Sequence, residues 1–362
     1  MAAASWWRGD GRARGGAVSF LGTGRRLDAR RLTAILIGCG MVCALVTVLA
    51  PLVGNEGPGR PVGLLPFDAI WSDNTDGLVF EVRLRRVIAA LLCGGALAGA
   101  GCAFQAVLRN PLAEPFTLGV SSGASLAAVL AIRLGVTQVA GTAGVSAAAV
   151  VGAMVAVSVV WQIGRVGSTL PPATLVLAGV TVSMFASAAA LVVQYSADFV
   201  DVSRMVRWMM GGLEWTPYAT LVRTAPPIAL GLAVLIWLGR DLNGLAAGPE
   251  AAASIGVDVG RTQTLAFAAA SLLVGASIAI AGPVGFVGLI VPHALRAIIG
   301  ADHRALVPAS ILIGAATLVV CDTLARIVHE LPVGVVTALL GGPFFLVLLV
   351  RGKRRSDLWR DG

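Results

Sequence analysis

Long apolar stretches separated by short polar or charged turns make up most of this chain. A helix needs about 20 apolar residues to cross the roughly 30 Å of hydrocarbon in a bilayer. The pattern predicts ten membrane-spanning helices, at residues 32–53, 86–108, 115–134, 139–163, 173–195, 220–238, 262–281, 284–299, 305–324 and 334–350. The predicted fold class is therefore an all-α polytopic membrane protein.

A weak internal repeat relates the two halves of the chain. The segment Leu91–Gly101 is echoed by Leu272–Gly282, which lies 181 residues later. These segments fall in the second and seventh predicted helices, so five crossings separate them and the second copy must be upside down. Inverted repeats of this kind are typical of transporters. We therefore predict two inverted halves, at roughly residues 83–200 and 262–350, within a membrane domain of residues 32–350.

Composition supports a membrane protein and excludes several kinds of site. Hydrophobic residues make up 57% of the chain and charged residues 13%, whereas soluble proteins carry about 25% charge. The five cysteines and three histidines form no metal-binding pattern, so we expect no metal site. The single lysine, Lys353, is not in a phosphate-binding loop, so the chain has no nucleotide site of its own.

The net charge of +8 is concentrated at the two ends and in short loops, which disfavours nucleic acid as a partner. With the N-terminus placed inside, 18 of the 27 Arg and Lys residues fall on the inner side. Cytoplasmic loops carry such an excess of positive charge. We therefore expect both termini to be cytoplasmic, with a disordered basic arm at residues 1–31 and a basic tail at residues 351–362.

Two connections between the predicted helices have distinctive composition. The inner loop at residues 240–261 is rich in alanine, and Pro249 and Gly256 are placed to start and stop a short helix. That helix is either a solvated loop helix or a docking element for a cytoplasmic partner. On the outer side, Asp198–Pro217 predicts an interfacial helix anchored by Trp208 and Trp215.

Few polar residues lie within the predicted spans, which disfavours a carrier driven by an ion gradient. Asp322 lies near the outer end of the ninth helix beside Arg326, where a local ion pair or a helix-end contact is a simpler prediction than a proton relay. Gln105 either faces a transport path or makes a hydrogen bond between helices. The energy for transport must then come from another protein.

The chain contains a long series of ordered motifs, namely Val82–Arg86, Gly94–Gly101, Gln105, Arg109–Pro115, Leu118–Ala124, Gly282–His293, Asp302–Arg304 and Glu330–Ala338. Through these motifs, and over about residues 35–350, the chain resembles the permease subunits of bacterial iron-siderophore and vitamin B12 ABC importers. The resemblance implies a type II importer permease in the bacterial cytoplasmic membrane. It also implies a second permease, two cytoplasmic ATPase subunits that bind ATP and Mg²⁺, and an extracytoplasmic solute-binding protein, with no cofactor in this chain.

The resemblance implies three groups of functional residues. The ATPase-coupling loop would comprise Gly244, Glu250, Ala253, Ser254, Gly256 and Val257. The docking site for the binding protein would comprise Arg83, Arg86 and Arg326. Candidates for the gate and path are Gln105, Asn110, Pro111, Pro172 and Ala173.

The cargo implied by the resemblance is an iron-siderophore complex. Vitamin B12 or haem is the alternative within the same family, and an ion-coupled secondary transporter is the alternative from another class. Arg85 stands where many relatives have proline, and Pro171–Ala173 where they have small hydroxylated residues.

Overall fold

The computed structural model describes residues 28–55, 62–65, 75–165, 171–214, 216–328 and 331–357. The elements are α1 (Ala29–Leu49), β1 (Val53–Asn55), β2 (Val62–Leu64), α2 (Thr75–Val107), a short 3₁₀ helix (Pro115–Leu118), α3 (Val120–Arg133), α4 (Val136–Gly164), α5 (Pro172–Tyr195), α6 (Phe199–Met209), α7 (Tyr218–Trp237), α8 (Gly239–Ala247), α9 (Pro249–Ser254), α10 (Val259–Ala281), α11 (Val287–Ile299), α12 (His303–Ile327) and α13 (Val333–Asp357). The predicted basic arm, except for its last four residues, and Trp215 lie outside the described residues.

All ten predicted spans correspond to helices. Among the described residues, seven helices are long and apolar enough to cross a membrane, namely α1, α2, α4, α5, α7, α10 and α12. The apolar parts of the other three are shorter, at Val120–Arg133, Val287–Ile299 and Val333–Val347. At 1.5 Å per residue, α3 and α11 are only about 20 Å long. The chain therefore enters each of them through an irregular segment inside the bundle.

The two halves of the repeat are α2–α5 and α10–α13. The start of α2 lies beside the end of α12, at Arg86 and Asp322, while α10 begins directly after α8 and α9 at the other end of the bundle. The first helix of each half therefore runs in the opposite direction, as the inverted echo predicts. Each first helix also packs against the third helix of the other half, α2 against α12 and α10 against α4.

The central position of α2 depends on its small residues. Of the most apolar 18-residue window of α2, 83% is buried, against 6% for α1 at the edge of the bundle. A Cβ added at Gly94 would lie 2.3 Å from the carbonyl oxygen of Gly314 on α12, and one added at Gly101 would lie 1.9 Å from that of Gly288 on α11. Glycine is required at these crossings because the backbones touch.

The connections at the two ends of the bundle differ. At one end, called here the hairpin end, β1 and β2 form an antiparallel pair. At the other end, called here the loop end, the predicted single short helix is instead two helices, α8 and α9. Gly248 separates them, because its φ of 117° and ψ of 154° are not helical and Pro249 has no backbone N–H to continue the α8 ladder.

The predicted interfacial helix is α6, which follows α5. Its first-turn N–H at Asp201 is capped by the side chain of Asp198. Asp201 and Met205 face the bundle and are buried, while Trp208 is half-buried. The separation of an apolar and a polar face is as expected for a helix that lies along an interface.

Candidate functional site

The α8–α9 element at the loop end has an exposed rim and a buried anchor. Four of the six residues predicted for the coupling loop are exposed, namely Glu250, Ala253, Ser254 and Gly256, and Val257 is half-buried. Ile255 is also exposed, with 69% of its surface open. The rim therefore presents one apolar side chain and one carboxylate to the outside of the bundle.

The anchor of this element is the buried face of α8. Leu242 and Leu245 are buried, and Gly244 is buried between them. A Cβ at Gly244 would lie 3.3 Å from both Ile255 and Val257, so glycine allows the segment after α9 to fold back onto α8. The N–H of Val257 then donates to the carbonyl of Ala252 at 3.0 Å, which closes the turn.

A second attachment joins α8 to the start of α12. The Asn243 Nδ2 donates to Asp302 Oδ1 at 2.8 Å, and the Asn243 Oδ1 accepts from the His303 backbone N–H at 2.7 Å. The same Oδ1 lies 2.9 Å from His303 Nδ1. One amide side chain thus binds the capping residue and the first residue of α12, so a displacement of α8 must be passed to α12 or break these bonds.

Asp302 reinforces this joint. Its Oδ1 accepts from the Arg304 N–H at 3.0 Å and so caps α12. Burial raises the pKa of the Asp302 carboxyl, but hydrogen bonds from Arg304 and Asn243 outweigh burial and lower the pKa from its ordinary value. The carboxyl is therefore ionised at neutral pH. Sequence reasoning missed the role of Asn243, for which the only available signal was an amide side chain near the start of the inner loop.

The three arginines predicted to dock a binding protein are brought together at the hairpin end, but they are buried. Arg83, Arg86 and Arg326 are 5%, 6% and 5% exposed. The expectation of arginines open to a partner is therefore not met in this structure, because their guanidinium groups are turned to groups within the chain. Their role in docking stays a prediction.

Asp322 is the centre of this arginine cluster. The Arg86 Nη2 and Nε lie 2.8 and 3.1 Å from Asp322 Oδ1, and the Arg326 Nε lies 3.2 Å from Oδ2. The ion pair predicted between Asp322 and Arg326 is thus confirmed, and Arg86, 236 residues away from Asp322 in sequence, joins it. The cluster ties the start of α2 to the end of α12.

The arginines also hold the segment that follows α1. The Arg326 Nη2 donates to the Ala50 carbonyl at 2.9 Å, and the Arg83 Nη1 donates to the Pro51 carbonyl at 3.3 Å. A Cβ at Gly54 would lie 3.0 Å from the Arg83 guanidinium, so this group lies directly beneath β1. Arginine has enough donors to bind several carbonyls and a carboxylate at once.

The gate and path candidates fall in two places. Gln105 is buried on α2, and Asn110 and Pro111 form the turn after it, where the Asn110 Oδ1 accepts from the Leu112 N–H at 2.9 Å. Pro172 and Ala173 begin α5. Residues 166–170, which precede them, lie outside the described residues. The gating role of both groups stays a prediction.

Comparison with known proteins finds a transport family and relatives named as import permeases. The profile of the FecCD transport family matches residues 42–351. The cobalamin import system permease protein BtuC of Halobacterium salinarum is 38% identical over 333 residues, which cover 90% of this chain and 88% of that protein. The vitamin B12 import system permease protein BtuC of Salmonella paratyphi A is 35% identical over 338 residues, covering 91% and 98%.

A solved structure has the same architecture. It is described as a metal-chelate type ABC transporter in an inward-facing conformation, and it superposes with a TM-score of 0.76 at 28% identity. The superposition covers 88% of this chain and 99% of that chain. The similarity therefore extends over the whole bundle and is not restricted to one half.

Proposed function

This chain belongs to the FecCD transport family and is a permease subunit of an ABC importer, and from that premise we propose that its importer carries a metal chelate across the bacterial cytoplasmic membrane. A second permease, identical or paralogous, would complete the path. Two cytoplasmic ATPase subunits that bind ATP and Mg²⁺ would dock at the loop end, and a solute-binding protein would deliver the chelate at the hairpin end.

The observation that carries this proposal is the construction of the α8–α9 element. An exposed rim around Glu250 and Ile255 is available to an ATPase, while Asn243 ties the same element to the start of α12. A solvated loop helix would not need this attachment. A docked helix that must transmit force does need it.

The geometry supports a mechanism based on rigid elements. Closure of the ATPase pair around ATP would displace the rim, and α12 would receive that displacement through Asn243 and Asp302. Because α12 packs closely along α2 through Gly94 and Gly314, both helices would shift together. Closely packed helices have discrete arrangements, so the result is a switch between two states of the path.

We propose that the binding protein docks over the hairpin end, above the arginine cluster of Arg83, Arg86 and Arg326. Acidic residues on the partner would be attracted by this charge, although the arginines lie beneath the surface in this structure. Such attraction mainly raises the rate of encounter and weakens with added salt. Stimulation of the ATPase by the binding protein should therefore fall as ionic strength rises.

The cargo that we propose first is a ferric siderophore, as the sequence resemblance implies. A corrinoid is the second candidate, because two relatives at 35–38% identity are named as cobalamin or vitamin B12 permeases. An ion-coupled carrier is set aside, since the chain is a member of an ABC permease family.

The test is reconstitution in proteoliposomes with the cognate ATPase and binding protein. Uptake of ferric siderophores and of vitamin B12 would be measured with ATP, without ATP, and with ATP after collapse of the proton and sodium gradients. We expect uptake of a metal chelate that requires ATP and survives the loss of gradients. Uptake by the permease alone that follows an ion gradient would contradict the proposal, and uptake of vitamin B12 but no ferric chelate would select the second candidate.

A further inference from the structure

The two irregular segments that precede α3 and α11 meet inside the bundle. Glu114 lies between α2 and α3, and its Oε1 accepts a hydrogen bond from the backbone N–H of Phe286, which directly precedes α11. The two residues are 172 positions apart and belong to opposite halves of the inverted repeat. A carboxylate of one half therefore caps the short helix of the other half.

The first turn of α11 has other contacts with the first half. A Cβ at Gly288 would lie 2.8 Å from the Leu97 carbonyl oxygen and 3.1 Å from the Pro115 ring, so the α11 backbone rests on α2 and on the residue after Glu114. The Gln105 Nε2 donates to the carbonyls of Gly288 and Leu289, both at 3.4 Å. The start of α11 is thus bound to α2 and to the turn after it.

Phe286 is held from its other side by α13. It has a left-handed backbone with a φ of 69°, which is uncommon for a residue with a large side chain. Its ring lies against Gly341, where an added Cβ would be only 2.2 Å from the ring. The capped N–H therefore belongs to a residue whose backbone and ring are both constrained.

A carboxylate is chemically suited to this position. The first N–H groups of a helix lack partners within the helix and carry a partial positive charge, so an anion placed there is stabilised. The cap thus couples the two halves through a hydrogen bond at the start of α11.

We propose that Glu114 is a positioning residue for transport, and that its cap makes α11, α2 and the turn at residues 109–115 move as one body. The proposal rests on the proposed function, in which the path alternates between two states. Without the cap, only the Gln105 hydrogen bonds and the packing of Gly288 would hold the start of α11 to α2, and ATP hydrolysis would drive a less closely matched change in the path.

The test compares E114A, E114Q and the control E81A in the full transporter complex in nanodiscs. Glu81 is an exposed carboxylate on α2 that pairs only with Arg85, four residues on, at 3.1 Å among the described contacts. Hydrogen exchange of residues 284–290 is the structural readout, and vitamin B12 or ferric chelate transported per ATP hydrolysed in proteoliposomes is the functional one. E114Q keeps a side chain of the same length as that of Glu114, with one acceptor oxygen.

We expect E114A to raise the exchange rate of residues 284–290 about ten-fold, as the loss of one buried hydrogen bond predicts. Transport per ATP in E114A should fall at least five-fold. E114Q should retain most of the protection from exchange and most of the transport per ATP, and E81A should retain both in full. Exchange and coupling in E114A equal to those of E81A would overturn the proposal. Faster exchange with unchanged transport per ATP would also overturn it, because the cap would then be structural only.

If E114A does not assemble, E114D replaces it. The shorter side chain withdraws the carboxylate by about one bond length, so E114D should lose protection at residues 284–290 where E114Q keeps it. Equal protection in both would refute the capping role. The hydrogen-exchange measurement needs no cargo, so it tests the cap even if the wild-type complex transports neither vitamin B12 nor a ferric chelate. Failure to transport either cargo would count against the proposed function alone.

Discussion

Removal of the Asp322 carboxylate should destabilise this permease more than removal of any exposed carboxylate. In the folded chain, Asp322 accepts two hydrogen bonds from Arg86 and lies 3.2 Å from the Arg326 Nε. The side chains of all three residues are at most 7% exposed. The substitution D322A would leave two guanidinium groups buried near each other without the shared anion.

The expected loss can be estimated from this geometry. Breaking a buried ion pair by deleting one partner costs about 3–5 kcal/mol, because the remaining charge stays desolvated. For a chain of 362 residues, the average unfolding entropy of about 2 cal/mol/K per residue converts this loss to a decrease of about 4–7 °C in melting temperature. The exposed pair of Glu81 with Arg85 is worth only about 0.2–1 kcal/mol.

The assay is thermal unfolding of the purified permease in detergent, followed by circular dichroism. E81A is the matched control, and its melting temperature should change by no more than about 1 °C. The triple variant R86M/D322L/R326M removes Asp322 together with both arginines that pair with it and should recover part of the loss, since apolar replacements of buried ion pairs are often tolerated. A melting temperature of D322A equal to that of E81A would refute the reasoning.

Two further substitutions test other parts of the structure. N243A removes the hydrogen bonds from α8 to Asp302 and His303, each of which contributes about 0.5–1.5 kcal/mol of stability. ATP hydrolysis by the assembled complex should therefore continue, while chelate uptake falls ten-fold or more. T264A, at an exposed position on α10, should change neither ATP hydrolysis nor chelate uptake. Equal uptake by N243A and T264A would contradict force transmission through Asn243. G101A places a Cβ 1.9 Å from the Gly288 carbonyl and should cost at least about 1–3 kcal/mol of stability. G38A, where the added Cβ meets nothing within 4 Å, is its control in the same melting assay, and a similar melting temperature for both would contradict close approach of α2 and α11.

The helical content and the inverted order of the halves follow from the sequence alone. In hydrocarbon, a backbone must satisfy its own hydrogen bonds, so each long apolar run can only be a helix. The echo of Leu91–Gly101 at Leu272–Gly282 lies five helices further along, and an odd offset then requires inversion. Both deductions use only local composition and counting.

Predictions about particular side chains were less complete. The ion pair of Asp322 with Arg326 was predicted because the two residues lie beside each other near the outer end of one helix. The sequence did not indicate Arg86 as the second partner, nor that Arg83, Arg86 and Arg326 would be buried. An arginine at the predicted end of a helix has the same local pattern whether it faces water or a neighbouring carboxylate.

Local pattern also left the ends of the elements undetermined. The inner loop was predicted to hold one short helix and holds two. Gly248, whose φ of 117° and ψ of 154° are not helical, and the following Pro249 divide it. The spans predicted from residues 115 and 284 begin as α-helices only at Val120 and Val287, and residues Pro115–Leu118 form a short 3₁₀ helix. Apolar residues occupy the irregular segments as well, since these segments lie within the bundle.

The sequence by itself determined that this chain is a helical membrane protein in two inverted halves, because the bilayer leaves an apolar run no other structure. Only the tertiary structure decided which distant groups meet, namely Asp322 with Arg86, Asn243 with His303, and Glu114 with Phe286. The physical reason is that the lipid-facing and helix-facing sides of a span are both apolar. The choice of neighbours therefore depends on close contacts between small residues and on a few polar groups, and neither leaves a periodic signal in the chain.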